Sequence, residues 1–176
     1  MLPVFLGMNA ANLLLLSIVF VLGLVTQGAE PTTAHAKHIP MAVFSGMMAV
    51  LVHMVTFTYF MATTSWLAAA TDKQDLDRTR FVGDAVKQKR RVFLLCMTAV
   101  TATMLAMFSG AAADTSVTAW WPAQVHLAVA AVALVANGCC AVGQYHHVRA
   151  RGRLMDEALA ILNGTSLSNA RPDHST

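Results

Sequence analysis

Seven histidines carry most of the chemical potential of this chain: His35, His38, His53, His126, His146, His147 and His174. Imidazole binds heme iron, copper and zinc, and it is the side chain that exchanges a proton near neutral pH. His53 stands deep in a long apolar run, roughly 20 to 27 Å from the charged end of that run at the helical rise per residue. A titratable group at that depth is a functional-site candidate by default. Four residues could serve as axial ligands of a b-type heme: His53, His126, His38 and Met104. His53 and His126 match poorly in depth, His126 lying roughly 6 to 12 Å further out. His38 and His126 match better, and Met104 is at about the level of His53. His38 and His53 are 15 residues apart and share roughly one helix face, which suits two stacked hemes with an incomplete second ligand set. The plainer reading is a neutral His53 that hydrogen-bonds a threonine or a backbone carbonyl in the core.

A second constellation is His35, His38 and Met41, repeating at i, i+3 and i+6. With His126 they could form a copper or zinc site on the outer side, since imidazole and thioether both suit copper. Pro40 falls inside this repeat and disturbs its geometry. His146 and His147, beside Arg149, read as headgroup contacts. The methionines of the second apolar run (Met41, Met47, Met48, Met54, Met61) read as adaptable packing.

The rest of the chain narrows the function classes. No apolar run holds Asp, Glu, Lys or Arg in its middle, which argues against ion-coupled transport. There is no phosphate-binding loop, metalloprotease motif or Ser/His/Asp arrangement, so no catalytic residue and no enzyme activity of its own are expected. Cys96, Cys139 and Cys140 all fall in apolar runs, an odd number that argues against a disulfide framework. They read as small packing residues, with lipidation of Cys139 or Cys140 as the alternative.

The elements that must position these side chains are transmembrane helices. The chain is 56% hydrophobic and 12% charged. About 20 apolar residues of helix cross a hydrocarbon core of roughly 30 Å. Four runs qualify, giving an all-α integral membrane bundle with helices at about 7–26, 38–70, 92–113 and 122–147. A cytoplasmic extension carries the last helix to 163, with Asn163-Gly164 as its C-cap. The bundle domain is 1–164, and 165–176 reads as a flexible tail. Residues 72–91 are too polar for a span and read as a short exposed helix or an elongation of helices 2 and 3. The run from Leu13 to Val25 lacks the positive n-region of a signal peptide and reads as a transmembrane helix.

Charge sets the expected topology. Of 12 Lys and Arg residues, seven lie in 71–91 and four after Tyr145, leaving only Lys37 elsewhere. Both clusters, and therefore both termini, are expected in the cytoplasm. The partners implied are membrane lipids, anionic ones included, and not nucleic acid, because the bases are grouped at membrane edges. A bacterial inner membrane, cytoplasmic or intracytoplasmic, is the expected location.

The segment from His53 to Trp66, with Tyr59-Phe60 and a threonine-rich stretch before the tryptophan, resembles a family of bacterial four-helix membrane proteins. Met61-Ala62 stands where that family has Ile-Gly. The resemblance covers this segment and the general layout, and it implies topology without an activity.

Two functional readings follow. One is a non-catalytic structural or accessory subunit that docks on other membrane subunits or on itself. Its surfaces would be the small residues of helices 2 to 4, such as Ala42 with Gly46 and Ala106 with Gly110. The other is an electron-transfer subunit that binds heme b.

Overall fold

The computed structural model describes residues 2–26, 33–74, 77–113 and 120–169. Among them the chain is four helices and no strand: α1 (Leu2–Thr26), α2 (Thr33–Gln74), α3 (Arg78–Ala113) and α4 (Ala123–Asn169). Each is long and apolar enough to cross a membrane. α1 touches α2 and α4, and α3 touches the same two. α2 and α4 meet across one diagonal of the bundle, whereas α1 and α3 make no contact among the described residues.

The helices are longer than their apolar runs. At the helical rise, the 42 residues of α2 extend about 63 Å, twice a hydrocarbon core. Pro40 lies inside the helix beyond its first turn, where it removes one backbone hydrogen bond, and the helix continues through it. At the other extreme, residues 78–91 form the first turns of α3, so the elongation anticipated from the sequence is what occurs. Asp77 caps the helix: the Arg80 amide donates to its carboxylate at 3.1 Å. The polar segment folds because it keeps an apolar stripe. Phe81, Ala85, Val92, Cys96, Ala99 and Thr103 are buried at helical spacing along one face of α3.

That stripe builds two clusters. Phe5, Phe60, Val92, Cys96 and Val148 join all four helices. Leu67, Phe81, Ala85 and Ala158 join α2, α3 and α4 beyond the reach of α1. The second cluster corrects the expected end of the last helix. Leu154, Ala158 and Leu162 dock against α2 and α3, and α4 runs straight through Asn163 and Gly164 to Asn169. The expected tail beyond 169 lies outside the described residues. α1 is the peripheral member: Phe5, Asn9 and Asn12 face inward, while Leu14, Ile18, Val21, Leu24 and Val25 are exposed.

Two ends of the bundle can be distinguished. One, where α1 ends and α4 begins, is the histidine end. The other, where α2 ends and α3 begins, is the charged end.

Candidate functional site

At the histidine end, all four helices contribute to one layer. His38 of α2 and His126 of α4 face each other across the diagonal, their ring centroids 6.4 Å apart and their planes at 72°. Each ring lies against a glycine of a flanking helix. A Cβ on Gly23 of α1 would stand 3.1 Å from His38 Cε1, and one on Gly110 of α3 would stand 3.0 Å from His126 Cε1. Any larger residue at Gly110 would push the imidazole aside. Ser109 Oγ lies 3.0 Å from His126 Nδ1 and 2.8 Å from the Ala106 carbonyl. A hydroxyl has one hydrogen. The arrangement that satisfies both contacts has Ser109 donating to Ala106 and accepting from His126 Nδ1–H. The ring also hydrogen-bonds the Ala106 carbonyl, so a neutral His126 donates through one nitrogen and keeps a lone pair on the other.

The depth comparison made from the sequence is therefore realised for His38 with His126. It is not realised for His53 with either one. His53 is 1% exposed and has both ring nitrogens engaged at mid-depth. Asn137 Nδ2 donates to Thr103 Oγ1 at 3.0 Å and to the Ala133 carbonyl at 2.9 Å, so its Oδ1 is the acceptor facing His53 Nε2 at 3.3 Å. Nε2 thus carries the hydrogen. Nδ1 is then the acceptor, and Gln144 Nε2 donates to it at 3.0 Å. Cys96 is wedged beside this pair, donating to the His53 carbonyl and accepting from Gln144 Nε2, each at 3.5 Å. His53 is a neutral imidazole held by two amides, close to the plainer expectation but with Asn and Gln in place of threonine. Met104 does not join it, being 37% exposed on the outer surface of α3.

The metal constellation is only partly assembled. His38 and His126 meet, and Met41 follows one turn along α2. The side chain of His35 lies outside the described residues. No group of three His, Cys, Asp or Glu side chains suited to a metal exists among the described residues. Of the thiols, Cys96 and Cys140 are buried and Cys139 is exposed.

Near the charged end, one of the four basic residues after Tyr145 turns into the bundle instead of to its surface. Arg151 is 0% exposed. Its Nε donates to Gln88 Oε1 at 3.0 Å, and Nη1 donates to Thr63 and Thr64 Oγ1 at 3.3 and 3.1 Å. Nη2 donates to the Ala85 carbonyl at 2.6 Å, and the guanidinium lies 4.9 Å from the Phe60 ring centroid. All of these partners are neutral, and the charge is met by dipoles and a ring face. A signal for the missed residues existed. Asn137, Gln144, Arg151 and Ala158 recur every seven positions, which keeps them on one face of α4.

No protein family, curated protein or solved structure matches the chain.

Proposed function

We propose that the chain is a membrane electron-transfer subunit that binds a b-type heme between His38 and His126. The observation that carries this reading is the pair itself, two imidazoles 6.4 Å apart across the α2–α4 diagonal. Metal–nitrogen bonds of about 2 Å, plus the ring radii, place two imidazoles on opposite faces of one ion with centroids about 6 Å apart. Ser109 and the Ala106 carbonyl orient the His126 ring through one nitrogen and leave the other to ligate, the usual division of labour for a metal-bound histidine. A porphyrin brings four nitrogens of its own, so two protein ligands complete its iron. A structural zinc site needs four ligands, usually all from protein, and lacks them among the described residues. Two imidazoles suffice for heme iron, whereas the copper or zinc alternative also calls on His35 and Met41. Bound heme supplies one-electron transfer, and the protein supplies axial nitrogens and an apolar surround.

The accessory-subunit reading merges with this one, because an electron carrier must exchange electrons with another redox protein. Small residues no longer argue for docking by themselves. Gly46 is occupied within the bundle by Met107, whose sulfur a Cβ there would overlap, and Gly110 by His126. The expected setting is a larger assembly in a bacterial inner membrane, with both termini cytoplasmic. Absorption spectroscopy of the protein purified from heme-replete cells tests the reading. A reduced-minus-oxidised b-type spectrum is expected in the wild type and in His53→Gln, but not in His38→Leu or His126→Leu. A colourless wild type, or pigment that survives both ligand substitutions, would overturn it.

A further inference from the structure

One group of buried polar atoms is explained neither by the histidine pair nor by packing. Asn9 Oδ1, Asn12 Oδ1 and Gln144 Oε1 are buried and have no hydrogen-bond partner. Their orientation is constrained for two of the three. Asn9 Nδ2 donates to the Phe5 carbonyl at 3.1 Å, and Gln144 Nε2 is held by His53 Nδ1. In both cases the amide oxygen is what remains. Asn12 is 1% exposed, seven residues along the inward face of α1 from Phe5.

These oxygens lie at one depth. Phe5 packs with Phe60 of α2 and Val148 of α4, and both helices run antiparallel to α1. Counting four residues up from Phe5 brings Asn9 level with Thr56 and Gln144. Counting seven brings Asn12 level with His53 and Ala141, all within about 5 Å along the axis. A crevice of about 30 Å³ lined by Phe5, Met8, Val55, Thr56 and Val148, but by none of the three acceptors, opens beside this level between the same three helices. That volume accommodates one or two water molecules.

We propose that Asn9, Asn12 and Gln144 bind ordered water at mid-depth, so that α1 is fastened to the core through solvent and water reaches His53 by way of Gln144. Three orphaned acceptors at one level are more than a dry interior tolerates, and what acceptors require is a donor. Water provides two hydrogens and carries no charge to compensate. A monovalent cation fits worse. All three ligands are neutral, and the buried Arg151 charge lies one heptad beyond Gln144 on the same face of α4, about 10 Å away. This inference does not rest on the heme reading and survives its failure.

Water-edited solid-state NMR of the full chain in lipid nanodiscs, with ¹⁵N-labelled side chains, tests it. Magnetisation transfer from water to the Gln144 amide and the His53 ring is expected in the wild type. Asn9→Leu with Asn12→Leu should reduce it several-fold and lower the thermal midpoint. Absence of transfer in the wild type overturns the proposal, and that arm does not depend on any variant folding. A double variant as stable as the wild type, with transfer undiminished, overturns it as well. So does stabilisation by sodium or potassium chloride relative to choline chloride, which would assign the site to a cation.

Discussion

The layer around Arg151 and the layer around His38 and His126 both bring polar side chains into an apolar bundle, and they differ in how completely those side chains are matched. Arg151 has partners on every donor nitrogen and a ring face beneath it. Those partners come from α2 and α3, so one side chain ties three helices together at the level where α1 gives out. Four of its five N–H hydrogens are engaged. His38 and His126 oppose each other, and the edge of each ring that carries Cε1 lies against a glycine of a flanking helix. On the proposed reading the first layer is structural and the second is the one that would bind a ligand. A buried polar residue is thus informative through its unmet valences more than through its burial.

The comparison breaks most visibly at the ligands. His126→Leu should remove all b-type absorbance while the helical circular dichroism is retained, and an unchanged spectrum would assign His126 to the same structural class as Arg151. Arg151→Ala should do the reverse. Removing the side chain opens a cavity against Phe60, and unfolding in mixed micelles should show a loss of about 3 kcal/mol with absorbance preserved. Arg151→Met, which refills the space without the charge, should recover most of that loss. If Arg151→Met instead bleaches the protein, the charge has a role at the heme that the saturated geometry does not provide.

His53→Gln probes the layer between them. A glutamine amide can still meet Asn137 or Gln144, so the expected cost is about 1 to 2 kcal/mol, the scale of a polar contact in a membrane bundle. Pigment should remain, and its loss would move His53 to the ligand class. The smallest effect concerns the glycines. Gly110→Ala should cost about 1 kcal/mol and perturb the heme spectrum, because the new methyl meets His126 at 3.0 Å. Gly83→Ala meets nothing within 4 Å in a helix interior and should be neutral or stabilising by up to about 1 kcal/mol. Equal midpoints for the two variants would mean that the His126 ring moves freely and is not held.

Much of the fold was legible because hydrophobicity and helix length are local properties. Four apolar runs gave four helices, and His38 and His126 were recognised as the pair that shares a depth, since rise per residue converts sequence directly into height. Helix ends were less legible. Residues 78–91 read as polar until Phe81 and Ala85 find Leu67 and Ala158, and Asn163-Gly164 reads as a stop until Leu154, Ala158 and Leu162 find a surface to cover. Rotation about each helix axis was not legible at all. A composition rich in alanine and glycine on several faces leaves the inward face undetermined, so the same sequence allowed Met104 to face His53 and allowed Gly46 and Gly110 to face a partner protein. Packing decided otherwise: Met104 faces out, Gly46 receives Met107, and Gly110 receives His126. The heptad of Asn137, Gln144 and Arg151 could have fixed the inner face of α4, since polar groups in a membrane helix turn toward one another. By itself the sequence determined the number of helices and the height of each histidine. The tertiary structure decided which histidines meet, because azimuth is set by side chains brought together from 34 to 91 residues away along the chain.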